Sequence, residues 1–158
     1  MTIKDKLTYK LLSIFKIILS LFNVKTRYWF AKLITYFIYY IFPIRKDVAQ
    51  KNIRIAFSNW TEKKINKTIF KSYQFFIHNM IEFFAFPKSW ENIEIKIKGE
   101  NFINDNLKNK KGIILVTGHL GSWEILGSWI GRTFPLFTGI AIKQKNLGSH
   151  KFFIEQRE

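Results

Sequence analysis

The chain has 158 residues, of which 47% are hydrophobic and 18% aromatic, a composition too apolar for a disordered chain and a length that suits one domain. Lys and Arg number 26 against 11 Asp and Glu, and the net charge of +15 predicts an anionic partner: nucleic acid, an anionic membrane surface or an acidic protein. Because the sequence contains no Cys, it excludes thiol nucleophiles, disulfides and Cys-ligated zinc.

Residues 1–45 hold two apolar runs, which we interpret as a membrane-associated helical segment. The run over 11–24 is interrupted by Lys16 and lacks a following cleavage site, so it is not a standard signal peptide. The run over 29–42 holds Lys32. Neither reaches the ~20 uninterrupted apolar residues of a clear spanning helix, so both predict helices that lie in or partly enter a membrane. A pair of buried core helices and a single true span are the alternatives.

Residues 46–158 are interpreted as an α/β domain. A short helix is predicted over 47–57, and Thr61 is the predicted N-cap of a long helix that Pro87 ends. Period-two alternation over 93–97 predicts a half-buried strand. The β-branched run 113–116 predicts a strand buried on both faces, as in a parallel sheet. A helix from Trp123 to about 133, a strand over 136–142 and a terminal helix complete a βαβ pattern.

Residues 116–124, VTGHLGSWE, carry the candidate catalytic pair. His119 follows the predicted buried strand, at the position where open α/β sheets bind ligands. Glu124, in the first turn of the next helix, can fold back onto His119 because Gly118 and Gly121 permit a turn. The carboxylate would hold one imidazole nitrogen and leave the other free to take a proton from a substrate hydroxyl. A structural His–Glu pair at a helix start is the alternative.

Two stretches of the sequence resemble one family of enzymes. Residues 112–129 resemble the catalytic block of the lipid A biosynthesis lauroyl/myristoyl acyltransferases, in which a His, four residues and an acid recur. The ending Trp123-Glu124 is similar to the lipid A branch rather than to the glycerol-phosphate branch. Residues 45–57, RKDVAQKNIRIAF, resemble the pre-catalytic stretch, with Ser58 in place of the usual Pro, and Glu82 matches an acidic position. The resemblance covers most of the chain from about residue 20 onward.

The resemblance implies a reaction in lipopolysaccharide biosynthesis: an acyl chain passes from an acyl carrier protein thioester to a hydroxyl of a lipid A precursor. It assigns His119 as general base and Glu124 as its orienting partner. Arg157 is the candidate substrate-binding residue, a donor to the developing oxygen anion, with a solvated terminal charge as the alternative. No metal or nucleotide cofactor is implied. The implied location is the cytoplasmic face of the cell inner membrane, and the implied partners are acidic acyl carrier protein, the anionic precursor and the membrane, without nucleic acid.

The sequence also departs from the family it resembles. The family's chains are considerably longer, which implies that residues 46–158 are the N-terminal part of an acyltransferase domain. Its sheet with flanking helices would be incomplete at the C-terminus, with an exposed edge and doubtful activity alone. Rival interpretations are an acyltransferase acting on another glycolipid or lysophospholipid and an inactive fragment that only binds membranes. A non-catalytic basic protein is the rival from a different class, although the lysines are scattered and no nucleic-acid motif is present.

Overall fold

A computed structural model describes residues 1–134 and 136–157, apart from the side chain of Asn92. The described part of the chain is helical. The helices, in chain order, are α1 (Ile3–Leu21), α2 (Val24–Tyr40), α3 (Lys46–Ala56), α4 (Glu62–Phe84), the short 3-10 helix Lys88–Asn92, α5 (Glu100–Lys108), α6 (Trp123–Thr133) and α7 (Leu147–Arg157).

Side-chain caps define where the first, second and fourth helices begin. Thr2 caps α1 in a reciprocal capping box with Asp5, and Asn23 caps α2 by accepting from the backbone of Thr26. Thr61 accepts a hydrogen bond from the backbone N–H of Lys64 and caps α4, which confirms the cap predicted from the sequence. Hydrogen bonds from the backbone and hydroxyl of Thr2 lower the pKa of the Asp5 carboxyl below its ordinary 3.8, with a further bond from the backbone of Leu147.

Helix α4 lies at the centre of the fold and contributes to two apolar clusters, one along each of its halves. Its C-terminal half packs with α1 and α2 around Leu19, Ala31 and Ile81, all nearly inaccessible to solvent. Its N-terminal half packs Ile65 and Ile69 against α2 and α3. The long helix predicted to begin after Thr61 and to end before Pro87 is therefore confirmed as α4, which buries Ile65, Ile69 and Phe83 among others.

A buried ion pair ties α2 to α4. Arg27 is 1% exposed, and its Nε and Nη2 donate to the Glu82 carboxylate at 2.9–3.2 Å, while Nη1 donates to the carbonyl of Phe22. A buried charge is tolerated when its partner and its remaining hydrogen bonds are supplied, as they are here. Glu82, which the sequence singled out as an acidic family position, thus holds two helices together.

Helix α7 returns from the far end of the chain to pack along α1. The backbone N–H of Leu147 donates to Asp5, and the Tyr9 hydroxyl donates to Glu155 at 2.7 Å. Gly148 is buried so closely against α1 that a Cβ there would lie 1.8 Å from the carbonyl oxygen of Asp5. At the other end of α7, the Gln156 amide donates to the carbonyl of Phe83 at 2.7 Å. These contacts fix the direction of α7 and so the position of its last residues.

The predicted sheet is wrong. Residues 93–97, 113–116 and 136–142 form no strand in the described structure, and the α/β class is replaced by a helical one. The run expected to be buried on both faces is instead open to solvent, with Ile114 at 91% and Val116 at 90% exposed. A β-branched run favours a strand only when a neighbouring strand supplies a hydrogen-bond ladder, and within the described residues no such neighbour is present.

Helices α1 and α2 occupy the segment interpreted as membrane-associated. Among residues 1–134 and 136–157, no helix combines the length and the apolar character that crossing a membrane would need.

A candidate active site beside helix α4

The loop before α6 carries His119 and is attached to α4. Gly121 adopts a left-handed φ of 65°, which glycine reaches without steric cost, and the turn leads directly into α6. The Asn79 side chain on α4 donates to the carbonyl of Gly121 at 3.4 Å. His119 therefore lies on the loop and Glu124 in the first turn of α6, the placement predicted from the sequence, although no strand precedes the loop.

The exposed imidazole of His119 lies in a groove against the surface of α4. Its ring centroid is 4.7 Å from that of Trp123, whose indole in turn stacks on Phe76 with centroids 6.0 Å apart. We call this space, of about 550 Å³, the histidine groove. Its walls combine aromatic rings, two hydroxyls, one lysine and the imidazole: Thr68, Lys71, Ser72, Phe75, Phe76, His119 and Trp123.

Glu124 is held by Arg157 in a two-point ion pair. Arg157 Nε and Nη2 donate to the two carboxylate oxygens at 3.0 and 2.7 Å, a geometry that fixes the plane of the carboxylate. The Glu124 side chain is 10% exposed and that of Arg157 is 42% exposed. The hydrogen bonds to Glu124 raise the pKa of the Arg157 guanidinium above its ordinary value, because the carboxylate stabilises the charged form.

The structure thus brings together two of the three predicted site residues by a direct bond. Arg157, from the C-terminal end of α7, meets Glu124, from the N-terminal end of α6. Within the described residues no hydrogen bond joins His119 to Glu124. The pairing of His119 with Glu124 and the part of Arg157 in substrate binding stay predictions.

A second cavity, of about 400 Å³, lies between α3 and α4. Its lining is almost entirely apolar, with Ile38, Val48, Tyr73 and Ile77 among its walls and Arg45 and Asn52 as polar members. We call it the α3–α4 cavity. Ser72 and Phe76 line both this cavity and the histidine groove, so the two spaces adjoin along the surface of α4.

Two features of the site were not predicted from the sequence: Lys71 in the histidine groove and the ion pair of Glu124 with Arg157. The spacing could have indicated Lys71, because residues three and four apart lie on the same side of a helix. Lys71 and Ser72 follow Thr68 by three and four residues, and all three line the groove. The ion pair depends on how α7 docks on α1, a long-range contact that no local pattern in the sequence reveals. The part of the chain described by the structure holds no cluster of three or more metal-ligating side chains.

A family model described as bacterial lipid A biosynthesis acyltransferase matches residues 4–158. The match includes both stretches whose resemblance was noted in the sequence and all three candidate site residues. No curated protein and no solved structure matches the chain.

Proposed function

We propose, because the chain belongs to the bacterial lipid A biosynthesis acyltransferase family, that it moves a fatty acyl chain from an acyl carrier protein thioester to a hydroxyl of a lipid A precursor. Membership makes the chain an acyltransferase of the lipid A type; the donor, the acceptor and the residue roles are the proposal. The observation that carries it is the exposed imidazole of His119, placed in a groove wide enough for a substrate and five residues before the Glu124 that Arg157 holds.

In the proposed mechanism His119 is the general base. Its imidazole takes the proton of the acceptor hydroxyl while the hydroxyl oxygen attacks the thioester carbonyl carbon. As the tetrahedral intermediate collapses, the new C–O ester bond remains, the C–S bond breaks, and His119 returns the proton to the leaving thiolate. An exposed imidazole in an open groove can reach both substrates, which a buried structural histidine could not.

Glu124 is the proposed orienting partner of His119. A carboxylate offers about four lone-pair positions, so it can accept from Arg157 and still accept an imidazole N–H. Arg157 uses Nε and Nη2 for Glu124, which leaves Nη1 as a donor for the oxygen anion of the intermediate. Both roles require α7 to pack on α1, because this packing brings Arg157 to Glu124.

The membrane and acyl carrier protein are the proposed partners, and the cytoplasmic face of the inner membrane is the proposed location. Support comes from the net charge of +15, since acyl carrier protein, the precursor and inner-membrane lipids are all anionic. Further support comes from α1, whose exposed apolar side chains recur at helical spacing along one face: Ile3, Leu7, Leu11, Ile14, Ile18 and Leu21.

An acyl-transfer assay tests the proposal. Membranes containing the chain are supplied with acyl carrier protein thioester and a lipid A precursor, and the acylated product is measured. We expect transfer in the wild type and a loss of at least about a hundredfold in His119→Ala, the usual range for removing a general base. His150→Ala, which removes a histidine of α7 that lines neither cavity, is the matched control and should keep the wild-type rate.

The same assay exposes the alternatives. Transfer to a lysophospholipid but not to the precursor would overturn the proposed acceptor and retain the catalytic residues. Equal transfer by the wild type and His119→Ala would overturn the role of His119. An absence of transfer to every acceptor tried would favour a chain that binds membranes without turnover.

A further inference from the structure

We propose that Gln156 is a positioning residue for the acyl-transfer reaction: its buried amide donates to carbonyls at the C-terminal end of α4 and so sets where Arg157 meets Glu124. This role rests on the proposed function only in giving the pair of Glu124 and Arg157 a part in catalysis. The link from Gln156 to Arg157 belongs to the folded chain and can be measured without turnover.

The C-terminal end of α4 presents carbonyl groups that its own side chains do not cap. The last carbonyls of a helix lack intrahelical partners and carry the negative end of the helix dipole. The last turn of α4, which the structure describes in full, has no basic side chain to donate to them. Phe83, Ala85 and Phe86 are buried, so water has little access to this end of the helix. The carbonyls therefore require a donor from elsewhere in the chain.

Gln156 supplies this donor from α7. Its side-chain nitrogen donates to the carbonyl of Phe83 at 2.7 Å and to those of Phe86 and Phe84 at 3.3 and 3.4 Å. Two N–H groups are thus shared among three main-chain acceptors. Because Gln156 is 7% exposed, water does not compete for these hydrogen bonds. The amide is therefore fixed against the backbone of the central helix.

The hydrogen bonds of Gln156 act on the candidate site through the next residue, Arg157. The Arg157 guanidinium lies 5.9 Å from the ring centroid of Phe83 and 5.7 Å from that of Phe153, and it bonds Glu124 through Nε and Nη2. Phe83 thus contacts Gln156 through its carbonyl and Arg157 through its ring. The Arg157 side chain is 42% exposed, so a shift of the backbone beneath it would let it adopt other rotamers in water. Anchoring the preceding residue keeps the two-point geometry with Glu124.

Two substitutions separate the hydrogen bonds of Gln156 from its bulk. Gln156→Met keeps the length of the side chain and removes both N–H donors. Gln156→Glu keeps the shape but places a carboxylate against the carbonyls, which repel it unless it is protonated. Burial and these carbonyls should raise the pKa of the new carboxyl above its ordinary value of about 4.3, so the variant should regain a donor as the pH falls. Gln50→Met and Gln50→Glu are the controls, because the Gln50 amide also joins two helices, through a 3.1 Å hydrogen bond to Asn66, and lines neither cavity.

The readout is the Nε–H signal of Arg157 in heteronuclear NMR spectra, identified by its absence in Arg157→Lys. While Nε donates to Glu124, this N–H exchanges slowly with water. At about pH 7 we expect exchange at least about tenfold faster in both Gln156 variants than in the wild type. At about pH 5 Gln156→Glu should return to within about threefold of the wild type at the same pH, whereas Gln156→Met should not. Both Gln50 variants should match the wild type at each pH, and circular dichroism should show unchanged helix content throughout.

Unchanged exchange in Gln156→Met would overturn the positioning role, since packing alone would then hold Arg157. Fast exchange in Gln156→Glu at both pH values would also overturn it, because a restored donor should restore the pair.

Steady-state acyl transfer tests the catalytic part of this role. Gln156→Met should lower kcat by roughly ten- to a hundredfold with KM little changed, whereas Gln50→Met should leave both constants as in the wild type. An absence of transfer in the wild type, with the exchange of Arg157 still dependent on Gln156, counts against the proposed function alone. A wild-type kcat in a Gln156→Met that frees Arg157 counts against the positioning role of Gln156.

Discussion

Arg157 and Glu124 illustrate, at the scale of single residues, how an ion pair can hold a carboxylate in one orientation. The bidentate bond at 2.7 and 3.0 Å fixes the plane of the Glu124 carboxylate, which a single point charge would not do. If Glu124 orients His119, Arg157 is a positioning residue for both.

Arg157→Lys tests this role because it keeps the positive charge and removes the planar guanidinium that donates two hydrogen bonds to Glu124. We expect kcat to fall roughly ten- to a hundredfold with KM little changed. Small errors in catalytic geometry lower the rate of the chemical step more than they weaken substrate binding. Steady-state acyl transfer over a range of acceptor concentrations measures both constants.

Arg54→Lys provides the matched control for Arg157→Lys. Arg54 pairs with Glu62 at 2.8 Å, but both side chains are more than half exposed and neither lines a cavity described here. Exposed pairs contribute little, so kcat should be unchanged. A kcat for Arg157→Lys equal to that of Arg54→Lys would contradict the positioning role.

At the scale of helices, the sequence predicted the parts of the fold that local patterns determine. The cap at Thr61 and the extent of α4 follow from short-range rules, and α3 begins and ends within one residue of the predicted 47–57. The first turn of α6 was also predicted, which placed His119 on a loop and Glu124 on a helix.

The strands could not be predicted in this way. Residues 113–116 have the composition of a buried strand, yet their burial depends on elements elsewhere in the chain, and the structure leaves them exposed. The same reason explains the missed ion pairs, because Arg27 and Glu82 are 55 residues apart and Glu124 and Arg157 are 33 apart. Sequence patterns identify residues whose side chains could take part in binding or catalysis. Tertiary contacts decide which of these residues meet.

The docking of α7 on α1 gives a prediction at this scale. In Gly148→Ala the new methyl group would collide with the backbone of Asp5, which cannot move as a flexible side chain could. We expect α7 to separate from α1, with faster hydrogen exchange of the α7 amides and a loss of acyl transfer as Arg157 leaves Glu124. Hydrogen exchange read by mass spectrometry follows the first effect.

Gly127→Ala makes the same substitution on α6, where no atom lies within 4 Å of the new methyl group. It should leave α7 protected and stabilise α6 by about 0.5–1 kcal/mol, since alanine favours a helix more than glycine does. Unchanged exchange of α7 in Gly148→Ala would show that α7 does not depend on this close contact.

At the scale of the whole molecule, charge and apolar surface act together. The net charge of +15 attracts an anionic surface from a distance, but it acts without regard to orientation. The exposed apolar face of α1 supplies an orientation, because Leu7, at 56% exposure, and Leu11, at 57%, lie one turn apart on the same side. Continuous apolar exposure of this kind indicates an interaction surface.

Vesicle binding separates the two contributions. We expect the wild type to bind phosphatidylglycerol vesicles more tightly than neutral ones, with the difference shrinking as salt increases because surface charges are screened. Leu7→Gln/Leu11→Gln should weaken binding to both vesicle types by at least about tenfold, because burying each leucine is worth about 1.5–3 kcal/mol. Co-sedimentation with vesicles at low and high salt measures each effect.

The matched control is Ile114→Gln/Val116→Gln, which removes two side chains that are even more exposed but lie outside α1. Because these residues are not part of the helical face, their loss should leave vesicle binding within about twofold of the wild type. Equal weakening by the two double variants would mean that the chain adheres through apolar surface in general. Weakening by the α1 variant alone would show that the molecule binds the membrane through the exposed face of α1.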